Sequence, residues 1–180
     1  LSQGDAEEAL ELCEGALRHE MADHERQMMR LSLSTILIAL GRIGEGWDEY
    51  ESRLHPAHPD VTHFLVDVAR WAPGADLRGK SLLVVGEQGL GDEVLFANLL
   101  PDVIEALGPE GKLTIAVEPR LVTLFQRSFP TATVGPHATY LKAGRTYRTL
   151  PFVTDFKAYD LWTPMASLLR EFRRATGAFP

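Results

Sequence analysis

The chain of 180 residues lacks several features that would assign it to a class of protein. Its single cysteine, Cys13, excludes an internal disulfide and favours a reducing, cytoplasmic compartment. No apolar run approaches the roughly 18 residues of a membrane-spanning helix. Basic residues are not in excess, since the net charge is -7, and an acidic protein repels nucleic acid and anionic membranes.

Common catalytic and metal-binding motifs are also missing. No Gly-Lys-Ser/Thr follows the glycine-rich segment at 86–91, which excludes a P-loop, and no nucleophile elbow is present. His55 and His58 have a loose metal-like spacing, but they lie in a proline-rich turn without a cysteine, so we expect no metal site. The chain begins with leucine, and no signal-peptide pattern follows, which predicts a piece of a longer protein.

What is present is an uneven distribution of charge. Residues 1–60 carry 13 acidic and 5 basic side chains, whereas residues 61–180 carry 12 acidic and 13 basic ones. A change in charge of this kind indicates a domain boundary. We therefore expect a helical segment at 1–60, a linker at 61–80 and an α/β half-domain at 81–180.

Three helices are predicted in the first part, at about 5–20, 24–40 and 45–54, because apolar residues recur there at spacings of three and four. Cys13 lies on the apolar stripe of the first helix, so we expect a buried small side chain rather than a nucleophile. Trp47 and Tyr50 share one face of the third helix. They are either core residues or part of a peptide-binding groove.

Two helical segments echo each other. Gly-Asp-Ala-Glu-Glu-Ala-Leu at 4–10 aligns with Gly-Arg-Ile-Gly-Glu-Gly-Trp at 41–47, a period of 37 residues. The period is close to the roughly 34 residues of a tetratricopeptide repeat. The segment resembles the last one and a half repeats of such an array, and the resemblance implies a protein partner for its helices.

The remainder alternates between apolar runs and helical patterns. We predict strands at 81–85, 112–118, 132–134 and 159–162, and helices at 92–107, 119–129 and 165–173. Pro101 falls inside the first of these helices and either kinks or restarts it. The order predicts an open, parallel, Rossmann-like sheet with its ligands at the carboxyl ends of the strands. Those ends lie at 86–92, Glu118, 135–137 and 163–164.

The glycine-rich turn at 86–92 joins a strand to a helix N-terminus, a layout that often presents backbone N–H groups to an anion. Gly-Leu-Gly-Asp-Glu-Val at 89–94 has two glycines of the dinucleotide fingerprint and lacks the third, although Glu118 ends the next strand, where a ribose-binding acid belongs. Aspartate is a favoured N-cap. Asp92 therefore either only caps the helix or also binds or reacts.

A basic segment occupies 136–148 and contains Lys142, Arg145, Arg148 and two tyrosines, with no acidic residue. It is either a solvated, flexible loop or a clamp for a phosphate or an acidic acceptor.

Four stretches together resemble one family. Glu-Gln-Gly-Leu-Gly-Asp at 87–92, within the longer run 83–97, is similar to a segment of bacterial tetratricopeptide-repeat proteins with a glycosyltransferase-like domain. Those proteins carry a stretch similar to Glu-Gly-Trp-Asp-Glu-Tyr-Glu-Ser-Arg at 45–53, and 77–83 and 159–168 also resemble family stretches. The likeness extends from about residue 41 to 170.

The resemblance implies a fold and a reaction. The family's α/β domain is similar to the GT-B fold of heptosyltransferases and protein O-linked sugar transferases, so the chain is expected to hold the N-terminal, acceptor-side half. The implied catalytic base is Asp92, which would take a proton from an acceptor hydroxyl as a nucleotide-sugar is attacked. The implied substrate-binding residues are Glu87, Gln88, Gly89, Gly91, Glu118 and His137.

A second GT-B half has no counterpart in this sequence. We therefore expect the chain alone to be inactive, with nucleotide-sugar and acceptor bound by the full-length protein and with no further cofactor. The alternative is a non-catalytic interaction module, in which the helical repeats bind a protein partner and the α/β part is a scaffold.

Overall fold

The computed structural model describes residues 3–180. They form two compact units, of which the first comprises the residues up to Thr62 together with Arg173–Pro180 and the second comprises His63–Phe172. The C-terminal residues 173–180 thus belong with the helices, whereas the sequence had grouped them with the α/β part. The other predicted limits, at 60 and 80, stay predictions.

The first unit is helical, as predicted. Its helices are α1 (Gln3–Leu17), α2 (Asp23–Ala39) and α3 (Ile43–Tyr50), with a 3₁₀ turn at Glu51–Leu54. Cys13, Leu33 and Leu37 form the core between α1 and α2. Gly46 lets α3 approach α2 closely, since a Cβ there would lie 2.5 Å from Ile38 Cγ1.

Cys13 behaves as expected for a buried small side chain. Burial raises the pKa of its thiol, and the nearby carboxylates of Glu14 and Glu49 act in the same direction. A thiol that resists ionisation is a poor nucleophile.

Trp47 and Tyr50 meet edge to face at a centroid distance of 5.6 Å, and the Trp47 indole N–H donates to the Arg173 carbonyl at 2.9 Å.

The second unit confirms a mixed α/β class with a parallel sheet. The sheet contains β2 (Ser81–Val85), β3 (Lys112–Val117), β4 (Thr133–Pro136) and β7 (Leu161–Pro164), in the order β4-β3-β2-β7. All three pairings are parallel. β2 and β3 are central strands, and their side chains are almost entirely buried, which explains their continuous apolar runs.

The helices of this unit are shorter than the sequence pattern predicted. α4 (Leu90–Phe96) ends in a 3₁₀ turn, and α5 (Leu100–Leu107) restarts with Pro101 in its first turn. α6 is Val122–Ser128, after a 3₁₀ turn at Pro119–Leu121. The predicted helix at 165–173 is a 3₁₀ turn, Met165–Leu168, followed by the single turn α7, Leu169–Phe172.

The basic segment at 136–148 is not the loop that was one of its two predicted forms. It forms the hairpin of β5 (Ala138–Lys142) and β6 (Arg145–Thr149), which joins β1 (Thr62–Phe64) in a second sheet of order β1-β6-β5. Ala143 and Gly144, with φ of 51° and 74°, form the tight turn. Positive φ at both positions is typical of a type I′ hairpin turn, whose twist matches that of the strands.

Within the part of the chain that the structure describes, no helix is both long enough and apolar enough to cross a membrane.

Candidate functional site

The candidate site lies at the carboxyl edge of the parallel sheet. The loop after β2 emerges beside the end of β7, because Val85 pairs with Pro164 in the register of these strands. β3 and β4 lie on one side of β2, and β7 lies on the other. A point where an open parallel sheet grows in both directions leaves a crevice outside the strand ends, where ligands usually bind.

Asp92 caps α4. The Gly89 N–H donates to its Oδ2 at 3.0 Å, in a helix that begins at Leu90. No described residue hydrogen-bonds the other carboxylate oxygen, and the side chain is half-buried. Gln88, with a φ of 62°, adopts the left-handed region that non-glycine residues rarely occupy. Strained backbone of this kind is concentrated at functional sites.

The residue after Asp92 points the opposite way. Glu93 is only 1% exposed. Its Oε1 lies 2.8 Å from His137 Nε2, and its Oε2 accepts the backbone N–H of Glu118 at 2.8 Å. One carboxylate thus joins α4 to the ends of β3 and β4.

Glu87 is also buried, at 3% exposure. Its Oε1 accepts the backbone N–H of Ala166 at 2.9 Å, in the turn after β7. The two glutamates therefore connect the loop to both sides of the crevice, Glu93 toward β3 and Glu87 toward β7.

Arg148 completes the cluster from the hairpin. One of its terminal nitrogens donates to the Gly86 carbonyl at 2.5 Å, and its Nε donates to Thr139 Oγ1 at 3.1 Å. Burial lowers the pKa of this arginine, and the carboxylates of Glu93 and Glu87 act in the opposite direction, favouring the charged guanidinium. We call Glu87, Glu93, His137 and Arg148 the buried polar cluster.

Gly86 lies in contact with this cluster. A Cβ at this position would lie 2.5 Å from the Glu93 carboxyl carbon, inside any normal contact distance. Only glycine therefore allows the Glu93 carboxylate to pack against the end of β2. By contrast, a Cβ on Gly91 in the same loop would meet nothing within 4 Å.

His137 retains one unused nitrogen. Its side chain is 6% exposed, and its buried Nδ1 has no hydrogen-bond partner among the described residues. A buried polar atom without a partner is costly, and such atoms need an explanation. The cluster holds the ring in place through the Nε2 contact to Glu93.

Glu118 does not face the loop with its carboxylate. Its side chain accepts from the backbone N–H of Arg120 at 2.8 Å and from Arg120 Nε at 2.7 Å. Burial alone would raise the pKa of this carboxyl, but these hydrogen bonds and the charge of Arg120 hold it below the usual range.

The sequence-predicted residues thus separate into three groups. Asp92, Gln88, Gly89 and Gly91 lie on the outer part of the loop, half-buried or exposed. Glu87 and His137 lie beneath it in the buried polar cluster. Glu118 brings its backbone to the cluster while its side chain binds Arg120.

Sequence reasoning missed Glu93. The two apolar residues that follow it, Val94 and Leu95, do not mark the buried face, since they are 45% and 62% exposed. The signal that would have found Glu93 is its spacing from Phe96 and Leu100, both buried, which places all three on one helical face. A charged residue at a core position of that pattern indicates a buried partner.

Two other features do not form sites. His55 Nδ1 and His58 Nδ1 each accept a backbone N–H two residues ahead, so both rings stabilise the turn. No group of three or more histidine, cysteine, aspartate or glutamate side chains in the described chain could hold a metal ion. A cavity of about 480 Å³ lies at the opposite edge of the sheet, and its lining has no titratable side chain.

Comparisons with known proteins found a relative that is similar over the whole chain. No family model matches the chain, and no solved structure does. Over all its 180 residues the chain is 47% identical to "Protein FlbA" of Caulobacter vibrioides (strain ATCC 19089 / CIP 103742 / CB 15). The alignment covers the whole chain and 30% of that relative, so both units described above lie within the similarity.

Proposed function

We propose that the chain is the acceptor-side half of a sugar-transfer site in a tetratricopeptide-repeat protein with a GT-B-like domain, and that Asp92 is the general base. The observation that carries this proposal is the state of the Asp92 carboxylate. Oδ2 is fixed by the Gly89 N–H, while Oδ1 has no hydrogen-bond partner within the described chain, in a side chain that is half-buried.

A general base needs an oriented carboxylate with a free oxygen within reach of the proton that it removes. The capping bond supplies the orientation. The buried polar cluster supplies rigidity, because Glu87 and Glu93 attach both ends of the loop to neighbouring strands. In this proposal Glu87 and His137 position the loop, and Gln88, Gly89 and Gly91 line the acceptor side.

The fold is compatible with the Rossmann-like half that the proposal requires. The strand order β4-β3-β2-β7 corresponds to 3-2-1-4 when the strands of this sheet are numbered along the chain, which is the order of the first four strands in doubly wound folds. The helical unit is compatible with a repeat, since α1 and α2 form a hairpin and α3 follows after Gly41. The sequence resemblance supplies the reaction type.

The test is the Asp92→Asn variant of the full-length protein. Asparagine can still accept the Gly89 N–H, and the lost interaction of a negative charge with the helix N-terminus is worth about 0.3 to 1 kcal/mol, so the melting temperature is expected to change little. Loss of a general base lowers the rate by about 10²- to 10⁴-fold. Release of nucleotide from a panel of uridine, guanosine and adenosine diphosphate sugars, with and without acceptor, measures that rate.

The matched control is Glu110→Gln, which removes a carboxylate from the exposed turn before β3, at the opposite edge of the sheet. It is expected to keep the wild-type rate. Full transfer activity in Asp92→Asn would exclude Asp92 as the base and leave it as a helix cap.

A second candidate function is a non-catalytic interaction module. It is favoured by exposed apolar side chains on the helical unit, where Leu12 is 68% and Met28 is 50% exposed. In this case the wild-type protein would release no nucleotide from any donor. Leu12→Glu and Met28→Glu would each abolish co-purification of a partner that Asp92→Asn retains.

A further inference from the structure

The outer edge of β5 is open. The second sheet has the order β1-β6-β5, and no other strand of the described chain pairs with the outer side of β5. All five residues of β5, Ala138–Lys142, are exposed. An open edge presents a row of unpaired N–H and C=O groups that can pair with another extended chain.

The direction of these groups follows from the hairpin. Hydrogen-bonded and non-hydrogen-bonded pairs alternate along an antiparallel ladder. The Arg148 carbonyl accepts from Leu65 at 2.9 Å on the β1 side, so Arg148 and its partner Thr139 form a non-hydrogen-bonded pair within the hairpin. The backbone groups of Thr139, and by alternation those of Leu141, therefore point outward.

The β5 edge exposes an apolar side chain and lacks most of the features that block pairing at natural edges. Leu141 is 73% exposed, the highest value among the large apolar side chains of the described chain. Natural edges are commonly protected by proline, by a bulge, by a covering segment or by charged side chains such as lysine, and in β5 the one charged residue, Lys142, is the last. β5 contains no proline, and its register with β6 runs without interruption from Ala138 to Lys142.

The edge also carries unneutralised positive charge. Lys142 and Arg145 flank the turn, and neither forms a side-chain hydrogen bond or ion pair with a described residue. No acidic residue occurs between Pro136 and Thr149. A partner that pairs with this edge would therefore be stabilised by negative charge.

The exposed face of the hairpin is pre-ordered by aromatic stacking. Tyr140 and Tyr147 stack at 5.5 Å with an interplanar angle of 15°, and His63 stacks on Tyr147 at 5.2 Å. The three rings follow the strand order from β5 through β6 to β1. Ordering the rings in advance reduces the entropy lost when a ligand packs against them.

We propose that β5 is a docking edge for an extended acidic peptide segment, which adds to the sheet as a fourth strand. Its backbone would pair with Thr139 and Leu141, its acidic side chains would face Lys142 and Arg145, and its apolar side chains would contact Leu141. β5 leads directly from His137, the residue that binds Glu93, so the docked segment ends beside the glycine-rich loop. The docking does not require sugar transfer.

A second copy of the chain fits this edge less well. Two β5 edges would bring together two strands that carry cations and no acid, and like charges disfavour such pairing. A nucleic acid also fits less well, since the chain has a net charge of -7.

The binding experiment uses two fluorescein-labelled peptides with the full-length protein. One alternates threonine and valine with glutamate, and the other has lysine at every glutamate position. Fluorescence anisotropy is expected to show saturable binding of the glutamate peptide, weakened by salt, and none of the lysine peptide. Hydrogen exchange is expected to show protection of the Thr139 and Leu141 amides on binding. Equal binding of both peptides, or no protection at 138–142, would overturn the proposal.

Variants identify the edge. Leu141→Pro removes the outward N–H while leaving the ladder to β6, and Leu141→Val retains it. We expect the proline variant to lose binding and the valine variant to keep it. If Leu141→Pro unfolds the hairpin, the double variant Lys142→Glu, Arg145→Glu still shows whether the peptide binds at the β5 edge. The double variant should bind the glutamate peptide about tenfold or more weakly than wild type, and it should bind the lysine peptide instead.

The outcomes also separate docking from catalysis and from self-association. Asp92→Asn should bind the glutamate peptide as tightly as wild type, so a failure of either proposal is visible by itself. A dimer in analytical ultracentrifugation that Leu141→Pro abolishes, without peptide binding, would assign the edge to a second copy and overturn the proposal.

Discussion

The helical unit buries Arg53 and Arg173, and the α/β unit buries Arg148. Arg53 and Arg148 are held in different ways. In the helical unit Arg53 donates to the Tyr50 carbonyl at 3.0 Å, and its guanidinium lies 4.4 Å from the Tyr50 ring. In the α/β unit Arg148 donates to Gly86, 62 residues away in the sequence. The contact of Arg53 forms within one helical turn. The contact of Arg148 forms only when the hairpin sheet and the parallel sheet are both in place.

The two units also differ in where their charged side chains lie. The helical unit forms exposed pairs, such as Arg174 with Asp48 at 3.0 Å. The α/β unit places Glu87, Glu93 and Arg148 in its interior, under the loop that carries Asp92. Buried charges are costly unless every group is paired. A fold that keeps such a cluster beneath one loop holds that loop in a defined place, as a binding site needs.

Arg148→Met should have the largest effect. It removes the hydrogen bonds to the Gly86 carbonyl and to Thr139 Oγ1, and a hydrogen bond to a charged group is worth about 1.5 to 3 kcal/mol. It also removes the positive charge nearest to Glu93 and Glu87. Urea unfolding followed by far-UV circular dichroism measures the loss. The matched control is Arg145→Met, at an exposed position of the same strand, which should stay within about 0.5 kcal/mol of wild type. Similar losses in both variants would mean that the cluster contributes no more than surface charge.

Gly86→Ala should have an intermediate effect. The added Cβ would overlap the Glu93 carboxylate, and overpacking of this kind costs about 1 to 3 kcal/mol. Hydrogen exchange should also show faster opening of the Glu118 amide, whose bond to Glu93 is disturbed. Gly91→Ala, whose Cβ meets nothing, is the control and should leave both measurements unchanged. A stable Gly86→Ala variant would show that Glu93 can move without consequence.

Asp48→Asn should have the smallest effect. The pair with Arg174 is exposed, and exposed pairs contribute about 0 to 1 kcal/mol. Urea unfolding should therefore give nearly the wild-type midpoint, and the small difference should disappear at high salt. A loss comparable to that of Arg148→Met would remove the contrast between the two units.

Much of the secondary structure was predictable from local pattern. α2 and β2 were found within a residue of their bounds, because an apolar period of 3.6 or a continuous apolar run directly reflects which face is buried. The restart of the helix at Pro101 was one of two expected outcomes. The hairpin at 138–149 was missed, because its strands are polar and mostly exposed, and no regular buried face marks them in the sequence.

The candidate site was predicted less completely. The loop at 86–92 followed from the glycine pattern, but the helix after it begins at Leu90, with Gly89 and not Asp92 as its N-cap. Glu93 and Arg148 were not recognised as partners in one cluster, because the contacts that justify their burial come from strands far away in the sequence. Without those strands a buried glutamate in α4 looks like an ordinary surface residue of a first helical turn.

The sequence by itself determined the helical and α/β parts, the central apolar strands and the position of the glycine-rich turn, because each depends on neighbours within a few residues. The tertiary structure alone decided which carboxylates are buried, since Glu93 and Glu87 become acceptable inside only when His137, the Glu118 N–H and the Ala166 N–H arrive from other strands. It also decided that β5 is an edge. Whether a charge is buried, and whether a strand is an edge, depend on which groups lie beside it in space. Those groups come from distant parts of the sequence, so the order of residues along the chain does not show them.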